Sequence, residues 1–118
     1  MLPSCKKLIA EARQTVQEIT WKELAKETGK NCFTVDVREP EEFASGTVAG
    51  AINVPRGLLE FSIQSHPQLE HFDIDELLNA RLFLFCGTGG RSALAALALE
   101  KLGFTHVFSV RGGLNLRG

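Results

Sequence analysis

The chain has 118 residues, a length typical of one domain with a single core. Hydrophobic residues make up 44% and charged residues 23%, which argues against intrinsic disorder, and the net charge of -1 gives no general reason to bind nucleic acid or an acidic membrane. No apolar run approaches the ~20 residues that span a bilayer, and no signal-peptide core is present, so a cytoplasmic location is expected.

Helix and strand patterns alternate along the first half of the chain. Residues 6–14 contain helix formers throughout and predict a short helix. We assign it to an N-terminal helical extension, residues 1–15, which precedes one domain over residues 16–118. Thr20 has the spacing of a capping box to a glutamate three residues on, so a second helix is predicted from there to Gly29. The other elements predicted in this half are strands over 16–19, 32–37 and 51–54 and a helix that begins near 39–43.

The second half continues the alternation. Helical turns are predicted over 57–63, and a helix over 73–78. The apolar run 82–85 is typical of a strand that is covered on both faces. Residues 91–102, rich in alanine and leucine, predict a buried helix, and 107–110 predict the last strand. Short strands alternating with helices predict an α/β domain in which a parallel sheet lies between helix layers.

The three cysteines are Cys5, Cys32 and Cys86, an odd number without a CxxC pair. This pattern favours neither a disulfide framework nor a zinc site, and the sequence indicates no metal and no organic cofactor. Cys32 begins an apolar run and is interpreted as a small buried hydrophobe. Cys86 differs because it directly follows a predicted strand and begins a glycine-rich turn.

The turn Cys86–Arg91 carries the predicted chemistry. In an open α/β sheet, ligands bind where a strand's carboxyl end leads through a loop into a helix. Gly87, Gly89 and Gly90 permit backbone angles that aim successive N–H groups at one centre, and the helix N-terminus adds partial positive charge. A sulfur held there is expected to be a thiolate, with its pKa lowered from ~8.5 into the ~3.5–7.5 range. The alternative is a buried, inert cysteine beside a glycine-rich turn.

Three motifs together resemble those of a known family. They are Cys-x4-Arg-Ser from Cys86 to Ser92, DVREPEEF at Asp36–Phe43 and GAINVP at Gly50–Pro55. In this order, and over residues 19–113, they resemble the single-domain rhodanese-like sulfurtransferases. The resemblance implies a rhodanese-like three-layer sandwich, with a five-stranded parallel sheet and helices on both faces. It also implies that Cys86 cycles between thiolate and persulfide.

The resemblance further implies a reaction. A sulfane sulfur would move from thiosulfate or 3-mercaptopyruvate to cyanide or a thiol acceptor, in two half-reactions with ping-pong kinetics. The alternative is a sulfur carrier that relays persulfide to a protein partner. A catalytically inactive regulatory domain is disfavoured because the nucleophile is present. Phosphatase activity is disfavoured because phosphate-binding loops of this kind have Cys-x5-Arg, whereas here four residues, Gly87–Gly90, separate Cys86 from Arg91.

Several residues are expected to support Cys86. The loop amides would stabilise the sulfur anion, as oxyanion-hole donors stabilise oxygen. Thr88 and Ser92 are candidate hydroxyl donors, although Ser92 is equally interpreted as an ordinary residue of a first helical turn. Arg91 either binds an anionic donor or braces the loop by pairing with Asp36 or Glu39, and we favour the bracing role.

Two more arginines and three departures from the family pattern bear on the donor. Arg38 and Arg56 follow strand ends on the predicted rim, where they either attract thiosulfate or are merely solvated, and Asp36 is expected to order loops. Thr47 stands where many relatives have histidine, and Gly87 where thiosulfate-preferring members often have a basic residue. The Gly-Thr pair is similar to the loop of mercaptopyruvate sulfurtransferases. The chain ends at Gly118, before the Ala-Trp helix of relatives, so its end is either naturally short or truncated.

Overall fold

The architecture is that of a computed structural model, which describes residues 1–117. Gly118, the last residue of the predicted domain, lies outside the described residues. The helices are α1 (Pro3–Thr15), α2 (Trp21–Leu24), α3 (Pro40–Ala44), α4 (Leu59–Ser62), α5 (Ile74–Asn79) and α6 (Gly90–Lys101), with two 3₁₀ turns at Arg56–Leu58 and Gly113–Leu116. The strands are β1 (Gln17–Ile19), β2 (Cys32–Asp36), β3 (Ile52–Asn53), β4 (Arg81–Phe85) and β5 (His106–Val110).

The five strands form one parallel sheet in the order β1-β5-β4-β2-β3. β4 is central, pairing with β2 on one side and β5 on the other. Residues 82–85 of β4 are at most 1% exposed, so this strand is covered on both faces. The α/β class and the five-stranded parallel sheet predicted from the sequence are confirmed.

Alternate side chains of β4 enter two different cores, because successive residues of a strand point to opposite faces. Leu82 and Leu84 join the larger core, which also contains Ala95, Ala96 and Leu99 of α6. Phe83 and Phe85 lie on the other face in a smaller core, against which Trp21 packs. The Trp21 and Phe85 rings lie 5.5 Å apart in a tilted arrangement. The sheet is therefore packed on both sides at the strand that leads into the turn Cys86–Arg91, called the cysteine loop below.

Helix α1 packs beside α6 at the edge of the domain. Ala12 is buried, and Ile9 Cδ1 lies 3.2 Å from the position that a Cβ would occupy at Gly90. A side chain at Gly90 would therefore press against α1 at the beginning of α6. Within residues 1–117, no helix combines the length and apolarity needed to cross a membrane.

Helix α2 is shorter than its predicted extent. Thr20 Oγ1 accepts a hydrogen bond from Glu23 N–H, and Glu23 accepts one from Thr20 N–H, which forms the predicted capping box. The α-helix ends at Leu24, whereas the sequence predicted it to continue to Gly29. The N–H groups of Lys26 and Glu27 bond to carbonyls three residues earlier, so tight turns replace α-helical bonding there.

Candidate active site

Cys86 lies at the junction between β4 and α6, at the carboxyl edge of the sheet. It directly follows Phe85, the last residue of β4, and its side chain is fully buried. The N–H of Gly89 donates a hydrogen bond to Cys86 Sγ at 3.1 Å. Gly89 has a φ of +98°, a left-handed conformation that glycine adopts without strain and that turns its N–H toward the sulfur. The loop thus bends back over the sulfur before α6 begins.

The surroundings of Cys86 act on its pKa in opposite directions. Burial raises the pKa of the thiol because it penalises the charged form. Hydrogen bonds from the backbone and hydroxyl of Ser92, and from the backbones of Gly89 and Thr88, lower that pKa and outweigh burial. The net effect is a Cys86 pKa below the ordinary thiol value, which favours the thiolate.

The hydroxyl donors expected beside the sulfur occupy different positions. Ser92 is fully buried, and its Oγ lies 3.6 Å from Cys86 Sγ. Thr88 is exposed, and its contribution to the sulfur is through the backbone. Cys32, expected to be buried, is half-buried at the start of β2, with its Sγ 3.9 Å from the carbonyl oxygen of Thr28.

The second 3₁₀ turn supports the loop from behind. Leu114 N–H donates to Cys86 O at 2.9 Å, and Asn115 N–H donates to Gly87 O at 3.0 Å. Because the C=O and N–H of a trans peptide point in opposite directions, these bonds leave the N–H groups of Gly87 and Thr88 facing the opposite way from the turn. The turn thereby orients two peptide units of the loop.

Gly113 makes this close approach feasible, a role that none of the sequence motifs predicts. A Cβ at Gly113 would lie 2.3 Å from Cys86 O, and its φ is +56°. Trp21 Nε1 donates to Gly113 O at 2.8 Å, which fixes the turn from the other side. The signal in the sequence is the pair of glycines, Gly112 and Gly113, that follows the last strand.

Arg91 pairs with Glu42, and not with Asp36 or Glu39 as expected. Its Nη1 and Nη2 lie 2.8 Å and 3.3 Å from the Oε1 and Oε2 atoms of Glu42. Asp36 is already occupied by Arg38, and the N–H of Glu39 itself donates to Glu42 Oε1. Glu42, the third residue of α3, is the carboxylate that contacts the Arg91 guanidinium.

The guanidinium of Arg91 lies against the loop. Its Nη2 would be 3.7 Å from a Cβ at Gly87. The hydrogen bond with Glu42 raises the pKa of Arg91, and the charge of Cys86 contributes to this increase. Arg91 is therefore a fixed positive charge beside the cysteine loop.

The pair with Arg91 makes a testable contribution to acid stability. The Arg91 hydrogen bond, followed by that of Glu39 N–H, lowers the pKa of Glu42 from 4.5 to about 2. A carboxylate with a lowered pKa stabilises the fold above pH 4.5, and this contribution is lost as the pH falls toward 2. We expect Glu42→Gln to lower the free energy of unfolding at neutral pH by under ~1 kcal/mol, because the pair is partly exposed.

Urea unfolding of wild type and Glu42→Gln at a series of pH values measures this difference. The gap between the two proteins should close as the pH approaches 2. Glu41→Gln, on the same helix, is the matched control for the loss of one carboxylate. A gap that stays constant down to pH 2 would show that the Glu42 charge does not stabilise the fold.

Asp36 and Arg38 form a buried ion pair at the end of β2. Asp36 is 0% exposed, and its Oδ1 accepts from Arg38 N and Arg38 Nε, both at 3.0 Å. Its Oδ2 accepts from Arg38 Nη2 at 2.8 Å and from Thr47 Oγ1 at 2.9 Å. Arg38 Nη2 also donates to Gly46 O at 2.7 Å. Arg38 is thus not a free charge on the rim, and Thr47 serves the same network.

Arg56, the other arginine expected on the rim, forms an exposed ion pair with Glu60, four residues later in the chain. Its Nη1 lies 2.9 Å from Glu60 Oε1, and its backbone N–H bonds to Val37 O. The side chain therefore lies along α4. The two arginine–carboxylate pairs differ in burial and in the number of hydrogen bonds, so removing the carboxylate should have unequal effects on stability.

We expect Asp36→Ala to lower the free energy of unfolding by ~3–5 kcal/mol, because it leaves the Arg38 guanidinium buried without its partner. Glu60→Ala, which breaks the exposed pair with Arg56, should cost only ~0.3–0.5 kcal/mol. Urea unfolding at neutral pH measures both values. Equal losses in the two variants would contradict a structural role for the Asp36–Arg38 pair.

Comparison with known proteins agrees with this fold. The sequence matches the rhodanese-like domain family over residues 20–116. It is 36% identical over 81 residues to the thiosulfate:glutathione sulfurtransferase of Homo sapiens, and the match covers 65% of this chain and 70% of that protein. It is 32% identical over 84 residues to the uncharacterized protein YqhL of Bacillus subtilis, and the match covers 71% of this chain but only 59% of that protein.

The structure is similar to that of the human single-domain sulfurtransferase TSTD1. The TM-score is 0.70 at 28% sequence identity, and the match covers 83% of this chain and 91% of the human one. The chain belongs to the rhodanese-like domain family, as its three motifs predicted. Its relatives include sulfurtransferases, so sulfur transfer is the class of chemistry for which the site should be tested.

Proposed function

We propose that this protein is a sulfurtransferase that carries sulfur on Cys86, with thiosulfate or 3-mercaptopyruvate as donor and thiosulfate as the first donor to test. The observation that supports this most directly is the hydrogen bond of 3.1 Å from Gly89 N–H to Cys86 Sγ. Together with the bonds from Ser92 and Thr88, it lowers the pKa of a fully buried thiol. A thiolate is the nucleophilic form of cysteine, so this loop prepares Cys86 to attack sulfur.

In the first half-reaction, the Cys86 thiolate attacks the outer sulfur of thiosulfate. The new S–S bond forms as the bond between the two donor sulfurs breaks, and sulfite leaves with the electron pair. Cys86 becomes a persulfide. With 3-mercaptopyruvate as donor, the bond that breaks is C–S, and pyruvate leaves after its enolate takes a proton.

In the second half-reaction, cyanide or a thiolate attacks the outer sulfur of the persulfide. The S–S bond breaks, Cys86 regains its thiolate, and the acceptor leaves as thiocyanate or as a persulfide. The loop amides stabilise the sulfur anion before and after each transfer, much as oxyanion-hole donors stabilise oxygen. Because the donor product leaves before the acceptor reacts, ping-pong kinetics are expected.

Arg91 supports an anionic donor over a neutral one. Its guanidinium lies beside Gly87 at the loop, and its partner Glu42 is on the surface, with a side chain 39% exposed. Gly87 has no side chain that would supply a second positive charge. We infer that Arg91 attracts the sulfonate end of thiosulfate or the carboxylate of 3-mercaptopyruvate while it also braces the loop.

Two measurements on one preparation test the proposal and its alternative. Intact mass spectrometry after incubation with each donor measures sulfur loading, and steady-state formation of thiocyanate measures turnover. We expect the mass of one sulfur atom per chain and rapid turnover with thiosulfate. Loading without turnover above the background rate would instead indicate a carrier that delivers its sulfur to a protein acceptor. Neither loading nor turnover with either donor would contradict both functions.

A further inference from the structure

Ser109 is a fully buried serine on β5 that no step of the proposed reaction uses. It pairs across the sheet with Leu84 of β4 and Glu18 of β1. Val107, two residues earlier and therefore on the same face of the strand, belongs to the core beneath α6. The Ser109 side chain accordingly enters the space between the sheet and the first turn of α6, where Ser92 lies.

Three atoms form a chain from the sheet to the reactive sulfur. Ser109 Oγ lies 2.8 Å from Ser92 Oγ, which in turn lies 3.6 Å from Cys86 Sγ. Ser92 Oγ also lies 3.3 Å from the carbonyl oxygen of Gly89. Among the contacts of residues 1–117, Ser92 is the hydrogen-bonding partner of the Ser109 hydroxyl.

The proton count of this chain decides what the sulfur receives. A serine hydroxyl has one hydrogen, whereas Ser92 Oγ has three acceptors within reach once the Cys86 thiol is ionised: Ser109 Oγ, Gly89 O and Cys86 Sγ. If Ser92 donates to Ser109, its hydrogen is not available to the sulfur. If Ser109 donates to Ser92, that hydrogen is free to point at Cys86, and a charged sulfur attracts it more strongly than a neutral carbonyl does.

We propose that Ser109 is a positioning residue for Cys86: it donates its hydroxyl hydrogen to Ser92 Oγ and so directs the Ser92 hydroxyl to the sulfur anion. Ser109 contacts no reacting atom itself and acts through Ser92. A hydroxyl that accepts one hydrogen bond also becomes a stronger donor, so the two bonds reinforce each other. The inference rests on the proposed function, in which this sulfur is the nucleophile.

The ultraviolet absorbance of the thiolate, titrated against pH, tests the role of Ser109 without any sulfur donor. The Cys86→Ser counterpart of each variant is subtracted, so that the remaining signal belongs to Cys86. We expect Ser109→Ala to move the Cys86 midpoint upward by about half a pH unit, which corresponds to roughly threefold less thiolate below the midpoint. Ser92→Ala should move it further in the same direction.

The double variant separates action through Ser92 from a general disturbance of the core. If Ser109 acts through Ser92, adding Ser109→Ala to Ser92→Ala leaves the midpoint unchanged. Val107→Ala, on the same strand and face, lowers stability without touching the hydroxyl chain and should not move the midpoint. The inference would be overturned if Ser109→Ala left the Cys86 midpoint unmoved. It would also be overturned if Ser109→Ala shifted the midpoint equally in the wild type and in the Ser92→Ala background.

The titration tests the role of Ser109 and the turnover assay tests the proposed function, so one hypothesis can be contradicted without the other. A shifted midpoint in a protein that neither loads nor transfers sulfur would preserve the role of Ser109 and end the proposed function. Normal sulfur transfer with no shift in Ser109→Ala would do the reverse.

Discussion

We expect Cys86→Ser to reduce thiocyanate formation from thiosulfate and cyanide by at least about a thousandfold, to the background rate. The serine hydroxyl fits the same loop, but at neutral pH it is not ionised and cannot take up the donor's outer sulfur. Because the substitution is nearly isosteric, the loss would report on the nucleophile rather than on the fold. Steady-state turnover and intact mass after thiosulfate treatment measure it together.

The other two cysteines provide matched controls for this substitution. Cys5 lies in α1 and Cys32 begins β2, and neither contributes to the Cys86 loop. Cys5→Ser and Cys32→Ser should therefore retain both turnover and the sulfur adduct. Turnover in Cys86→Ser comparable to that of these controls would show that sulfur passes through another group.

We expect Gly113→Ala to reduce the same activity by about a hundredfold or more, a loss typical of a catalytic group that is displaced by about 1 Å. An alanine Cβ would lie 2.3 Å from Cys86 O and 2.7 Å from Gly87 C, and both are backbone atoms that cannot rotate away. Its φ of +56° adds ~1–2 kcal/mol of strain for a residue with a Cβ. The 3₁₀ turn would have to withdraw, which releases the carbonyls that it holds.

Two other glycines separate the causes of this loss. Gly103 has a φ of +102° but only ordinary contacts, with Leu78 Cδ1 at 3.7 Å, so Gly103→Ala tests backbone strain away from the site. Gly57 has open space around it and no positive φ, so Gly57→Ala tests the change of residue alone. Both variants should keep wild-type turnover, with a loss of stability only in Gly103→Ala. Wild-type turnover in Gly113→Ala would contradict the support that we assign to the second 3₁₀ turn.

The sequence was sufficient to predict the fold and the position of the cysteine loop. The apolar run 82–85 is typical of a strand covered on both faces, and three glycines in the next residues indicate a turn before the helix of residues 91–102. These are local signals with strong physical causes, and three separate motifs supported them. Predictions that depend on these signals therefore agreed with the structure, whereas the prediction that α2 continues to Gly29 was wrong.

Contacts between distant segments were beyond prediction. The sequence indicated Asp36 or Glu39 as the partner of Arg91, whereas the structure pairs it with Glu42, because the choice among these carboxylates depends on how α3 turns. The role of Gly113 depends on the 3₁₀ turn approaching the Cys86 carbonyl across the sheet edge. Neither pairing leaves a periodic or compositional signal in a single sequence, because each is set by tertiary packing.

The pH dependence of Cys86 alkylation by iodoacetamide tests the central claim, a thiolate held by the loop, most directly. Mass spectrometry of the labelled peptides gives the rate for each cysteine separately. Burial of Cys86 lowers its rate at every pH, whereas the midpoint of its pH profile depends on ionisation alone. We predict a midpoint below the ~8.5 of an ordinary thiol. A midpoint at or above that value would show that burial outweighs the hydrogen bonds and would contradict the account.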